Sequence, residues 1–170
     1  MSIFIPSSYE NHLPSAKDLA DSLIYMIDGI IKAHPDKFAK GDSPEMIEAN
    51  FAKGLISLPM GMENGAPLIT LDDLHYYYGK GIRYVTLTHG KDNHICDSSY
   101  DTTTTWGGLS PYGFELIAEM NQTGMIIDVS HISDQTFYQV MEISKAPVLA
   151  THSSCRVFTP GWQRNMSDDM

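Results

Sequence analysis

The sequence predicts an α/β chain of parallel strands that forms part of a (β/α)8 TIM-type barrel, with about five parallel strands present. Three observations carry this. Short apolar runs of strand length alternate with amphipathic stretches of helix length along the chain, as in parallel strands covered on both faces. The helical stretches open on capping residues, and two of them close on glycine. Five such units in 170 residues extrapolate to about 270 residues for eight, near the usual size of such a barrel. The alternative is a complete five-stranded doubly wound sheet. It would call for a glycine-rich phosphate loop after a strand, and none is seen.

The elements follow in order. "SIFIP" (2–6) reads as a strand. Residues 15–33 read as a helix, with Ser15 as N-cap and Asp18 three residues on. Leu19, Leu23, Met26, Ile27, Ile30 and Ile31 fall on one face of it. A short helix starts at Ser43-Pro44-Glu45, with proline at the first helical position. "GLISLPM" (54–60) is the next strand, "TLDDLHYYYGKG" (70–81) a capped helix, and "IRYVTL" (82–87) a third strand. A long loop rich in Asp, Thr and Gly runs to residue 109. A helix at 110–124 follows, then "MIIDVS", a helix at 133–144 capped by Ser133, and "PVLAT" (147–151) as the fifth strand. Near the end, "RNMSDDM" offers Ser167 as the cap of a further helix. The whole of 1–170 is read as one partial barrel domain.

Composition narrows the function. Apolar residues make up 42% and charged residues 19%, enough to bury a core. A net charge of −10 argues against a nucleic-acid backbone or an anionic membrane as partner. No apolar run approaches the roughly 18 residues that span a bilayer. The first residues lack the basic and apolar regions of a signal peptide. Cys96 and Cys155 stand apart, and free thiols fit a reducing compartment, which places the chain in the cytoplasm.

In parallel α/β folds chemistry sits at the C-terminal ends of the strands. Reading along that rim gives Glu63 in "MGMENG", His89 in "TLTHGKDN", His131 in "DVSHIS" and His152 in "ATHSS". Neighbouring strands lie about 4.8 Å apart, so one carboxylate and three imidazoles from successive strands can converge. Glu and His are a ligand set for a cation such as zinc. Each residue taken alone also has an ordinary reading as a solvated or hydrogen-bonded strand end; the coincidence of position makes the site. Asp128 either orients a ligand histidine as an outer acceptor or is a structural acid. His12, His34, His75 and His94 receive no role. A Ser–His nucleophile pair, from Ser130-His131 or His152-Ser153-Ser154, lacks the G-x-S-x-G elbow, and neighbours on a strand end point apart.

At this point "MGMENG", "GIRYVTLTHGKDNHICDSS", "GLSPYGFELIAEMNQTGMIIDVSHIS", "SKAPVLATHSSCR" and "QRNMSDDM" resemble the membrane dipeptidase (renal dipeptidase) family of zinc peptidases. The likeness runs through nearly all of residues 50–170 and is looser over 1–49. It implies a (β/α)8 barrel of the metal-dependent hydrolase kind with a two-zinc site. By that resemblance Glu63 bridges the metals, and His131 and His152 complete the ligands of the second. His89 contacts the substrate and polarises the scissile carbonyl or steadies the tetrahedral intermediate. Arg164, favoured over Arg156 by its Arg-Asn-x-x-Asp context, binds a substrate carboxylate. Hydrolysis of a dipeptide by metal-activated water is the implied reaction.

The family's first strand carries a His-x-Asp pair that holds the first metal, and none is expected anywhere in these 170 residues. A catalytic aspartate on the family's last strand also has no counterpart. The first metal-binding strand and the C-terminal barrel units are therefore expected to be absent. This leaves an alternative: a catalytically incomplete barrel that binds at most one metal and self-associates, or needs a partner segment, through exposed sheet edges.

Overall fold

Four parallel strands, β1 (Ser2–Phe4), β4 (Met60–Glu63), β5 (Ile82–Thr86) and β6 (Ile126–Asp128), form an open sheet in the order β1-β4-β5-β6. The computed structural model describes residues 1–11 and 15–170. Chain order and sheet order agree, as they do when each strand is joined to the next by a covering helical connection. The helices are α1 (Ala16–Ala33), α2 (Pro44–Ala52), α3 (Leu71–Gly79), α4 (Pro111–Thr123) and α5 (Asp134–Ile143). Helix α1 packs on β1, α3 on β5, and α4 on β6 and α5. One face of the sheet is buried, with Ile3, Met62, Val85 and Ile127 in register on it and Ile5, Met60 and Ile82 also in the core, whereas the other face, where Phe4 and Ile126 are exposed, is only partly covered and not buried as the sequence predicts.

The predicted helix boundaries hold because their caps form. Ser15 and Asp18 make a capping box, as do Thr70 and Asp73. Ser43, Ser110 and Ser133 each accept a backbone N–H of the first turn. Helix α4 ends on Gly124 in the left-handed region, where a Cβ would be strained. The buried stripe of α1 is shifted from the expected face: Ala16, Ala20, Ile24 and Ile27 are buried, and Met26 is half exposed. Alanines at the contact let the helix lie close to the sheet, so small side chains define the inner face.

Two strand assignments change. The run at 54–60 is two strands, not one. Ile56–Leu58 (β3) pairs in parallel with Phe38–Lys40 (β2), a strand the sequence did not announce, in a separate two-stranded sheet. Pro59 has no N–H to donate, so pairing stops there and resumes in the main sheet at Met60. The run at 147–151 is not a strand either. Leu149 alone bridges Asp128, through Val129 N–H to Leu149 O at 2.7 Å and Leu149 N–H to Ile127 O at 2.9 Å. Pro147 cannot extend that ladder.

Register aligns the strand ends. Phe4 pairs with Glu63, Glu63 with Thr86, Thr86 with Asp128, and Asp128 with Leu149. One row of residues thus crosses the sheet at its C-terminal edge. A register shift between Met60 and Met62 interrupts the β4–β5 ladder. Gly61 sits there under the Tyr84 ring, in space that a Cβ would occupy.

Candidate metal centre and active site

Glu63 lies in that row, and His89, His131 and His152 each follow their row residue by three positions. The same offset from Phe4 gives Ser7, whose Oγ lies 3.5 Å from His89 Nδ1. Equal offsets on adjacent parallel strands carry the side chains to one place. Glu63, His89 and His131 offer ligand atoms all within 4.8 Å of one another. His152 joins them: its Nε2 is 3.1 Å from Glu63 Oε1 and 2.8 Å from His131 Nε2. His131 Nε2 is 3.6 Å and His89 Nε2 3.9 Å from the same Glu63 oxygen.

Two triplets therefore share Glu63 and His131, with either His152 or His89 as the third member. Ligand atoms about 2.0–2.2 Å from zinc are separated by about 3.3–3.6 Å along a tetrahedral edge. The Glu63–His131–His152 triangle, at 2.8, 3.1 and 3.6 Å, fits that better than one reaching to His89. His89 instead stands beside it, edge-on to Phe4 and tilted over His131 at 4.4 Å between centroids.

Local structure explains each placement. His131 has φ +70°, so the chain turns sharply after β6 and brings its ring to the mouth. Its carbonyl is held by Ser99 N–H at 2.7 Å and Ser99 Oγ at 2.9 Å, both from the long loop after β5. Asn64, also at positive φ, is fully buried and donates to Ile5 O at 3.0 Å. Asn93 in turn donates to Asn64 Oδ1 and to Leu87 O. These amides brace the turns after β4 and β5 that carry Glu63 and His89.

Electrostatics favour a cation. Glu63 is held down to about 2, first by the His131 ring beside it and then by His152 and a hydrogen bond from Ser2, against burial. Burial lowers both His89 and His131, with Glu63 opposing, so both rings favour the neutral, ligating form. Arg164 Nη2 donates to His131 Nε2 at 3.0 Å, which makes that nitrogen an acceptor and puts the ring proton on Nδ1. Nδ1 is buried with no partner among the described residues. Bare nitrogens and a carboxylate turned on one point are a donor set that a divalent cation satisfies.

Arg164 also donates to Ser153 Oγ at 2.9 Å, so the guanidinium faces the cluster, and burial lowers its pKa. Arg156 is engaged elsewhere, in a bidentate pair with Asp134 at 2.6 and 2.7 Å. A cavity of about 500 Å³ opens beside Arg164 and His152, walled by Tyr100 and Trp162. Another of about 330 Å³ lies beside His89, Lys91 and His131, and Tyr100 separates the two. Among the described residues Asp128 is hydrogen-bonded to no histidine; it accepts from Thr86 Oγ1 at 2.5 Å, Thr151 Oγ1 at 2.6 Å and two backbone amides. Of the serines in the Ser–His alternative, Ser130 Oγ accepts from His152 N–H and Ser153 Oγ from Arg164, and among the described residues neither is hydrogen-bonded to a histidine ring. His75 pairs with Glu119 and His94 with Leu68 O; His12 lies outside the described residues. A His-x-Asp does occur, at His34-Pro35-Asp36, but in the exposed turn after α1 rather than at a strand end.

The family model of the membrane dipeptidases (peptidase family M19) matches residues 1–170. The chain belongs to the membrane dipeptidase family. Among curated members of that family's kind, an uncharacterized dipeptidase of Schizosaccharomyces pombe is 36% identical over 142 residues, 81% of this chain and 34% of that protein. The dipeptidase verJ of Clonostachys rogersoniana is 34% identical over 148 residues, 86% of this chain and 38% of that protein. The chain thus spans about a third of the length of these curated relatives. The probable dipeptidase PvdM from Pseudomonas aeruginosa superposes with a TM-score of 0.89 at 28% identity, over 99% of this chain and 45% of that one. A metallopeptidase from Rhodobacter sphaeroides, solved with a phosphinate mimic of the dipeptide L-Ala-D-Ala, shares the fold at a TM-score of 0.84 and 24% identity, over 99% of this chain and 56% of that one. The open parallel sheet is thus part of a barrel, as the sequence pattern indicated. Among the described residues no helix is long and apolar enough to cross a membrane.

Proposed function

We propose that this chain carries the active-site residues of a zinc-dependent dipeptidase. The observation that carries the reading is the convergence of Glu63 Oε1, His131 Nε2 and His152 Nε2 within 2.8–3.6 Å, with His89 and Arg164 at its margin. Glu63, His131 and His152 would hold the metal. When bound, zinc supplies a Lewis acid and an acidified water.

The chain's own residues do the rest. Arg164 offers a planar fork for a carboxylate at the cavity beside His152. That suits the terminal carboxylate of a dipeptide and excludes longer chains running through that end. His89 stands on the other side of the Glu63–His131–His152 cluster, and its ring can donate a hydrogen bond to a substrate carbonyl where negative charge develops. Tyr100 lies between the two cavities and separates the residues on either side of the scissile bond. The Rhodobacter sphaeroides protein's dipeptide mimic supports this substrate class. The incomplete-barrel alternative has less support, because all four rim residues converge. Two unpaired cysteines, Cys96 and Cys155, support a reducing compartment such as the cytoplasm.

The test is zinc titration together with dipeptide hydrolysis. We expect zinc binding, hydrolysis that chelator removes and zinc restores, and loss of both in His131→Ala. Hydrolysis that persists in chelator overturns the reading.

A further inference from the structure

We propose that Thr151 is a positioning residue whose hydroxyl, anchored on the buried Asp128, fixes the tautomer and direction of the His152 ring. The inference rests on the reading that His152 is a metal ligand. By its sequence position Asp128 is either a direct acceptor for a histidine or a structural acid. The hydrogen bonds give it a third position, one hydroxyl away.

Protons can be counted along the chain of contacts. Asp128 is fully buried, and as a carboxylate it only accepts. Thr151 Oγ1 lies 2.6 Å from Asp128 Oδ2 and 2.7 Å from His152 Nδ1. A hydroxyl has one proton, and the carboxylate takes it. Toward the imidazole the same oxygen can then only accept, so His152 Nδ1 must carry the hydrogen. That leaves Nε2 bare, facing Glu63 Oε1 at 3.1 Å and His131 Nε2 at 2.8 Å. A neutral imidazole in water favours the opposite tautomer, so the relay selects the ligating form in advance. The backbone is held by the same groups: Thr151 N–H donates to Asp128 Oδ1 at 3.0 Å and His152 N–H to Ser130 Oγ at 3.2 Å. Carboxylate support of ligand histidines is a general device; here it acts through the residue that precedes the ligand. His131 is held differently, by its positive φ and its pinned carbonyl.

Two measurements test this. Nitrogen-15 NMR of the histidine rings in the 170-residue chain, recorded without metal, should show His152 protonated at Nδ1; an Nε2–H tautomer overturns the proposal. Zinc affinity, by competition with a chromophoric chelator, should fall about 10–100-fold in Thr151→Val. In Thr151→Ser it should stay within a few-fold of the parent. Equal affinity in the valine variant overturns the proposal. Should valine unfold the chain, the tautomer and the serine variant decide. If the parent binds no zinc, the metal reading fails, and the tautomer still stands or falls by NMR.

Discussion

Glu63 and His131 titrate below their ordinary ranges for different reasons. Partners hold the carboxylate down, foremost the adjacent His131 ring, whereas burial holds the imidazole down. Both shifts act on stability in the same direction. Unfolded His131 takes up a proton near 6.5, while the folded ring resists until lower pH, so stability falls as pH drops through that window. Glu63 contributes stability above its ordinary 4.5 that is lost as pH falls toward about 2. The urea midpoint is therefore expected to decline from below about pH 6.5. A midpoint that stays flat from pH 7 to 4 would contradict the assignment. At this scale the rim residues were legible because each follows an apolar run. Their supports were not. Ser7, Thr86, Ser99 and Thr151 meet His89, Asp128, His131 and Asp128 across 23 or more positions of sequence, and no local pattern marks them. A polar residue closing an apolar run, as in "IRYVT" and "VLAT", was the one available signal.

At the scale of elements, helices were read more faithfully than strands. A cap is local chemistry: Ser133 and Thr136 lie three residues apart, and the bond between them closes in one turn. A strand is defined by its partner. Nothing in Phe38–Lys40 states that it will meet Ile56–Leu58, and nothing in "PVLAT" states that only Leu149 will pair. The β4–β5 contact shows how such pairing reaches the site. Gly61 lies under the Tyr84 ring, and burial followed by the Asp128 and Glu63 charges raises the Tyr84 phenol, so that ring lies near Glu63 and Asp128 at the rim. Gly61→Ala must displace it, at a cost of about 1–3 kcal/mol. Chemical denaturation should show that loss, and zinc affinity should weaken with it. An alanine variant as stable as the parent would mean the ring moves freely.

For the whole molecule, alternation of apolar runs and capped helices sufficed to identify a barrel-type α/β fold, because parallel strands and their crossovers leave few arrangements. The number of strands was less secure, since Pro59 and Pro147 redirect pairing in ways that apolar content does not reveal. The aligned strand ends carry one more consequence. Each site histidine stands the same three steps past the row that links Phe4, Glu63, Thr86, Asp128 and Leu149. The site is therefore written in spacing as well as in side chains, and it should be far less tolerant of a length change than of many substitutions. One alanine inserted between Thr86 and His89 is expected to disturb how His89 meets Glu63, while circular dichroism stays native. Dipeptide hydrolysis should then fall sharply. The same insertion beside Asp36, in the exposed turn after α1, should leave hydrolysis unchanged. Equal activity in the two would mean that the loops, rather than the sheet edge, set the geometry.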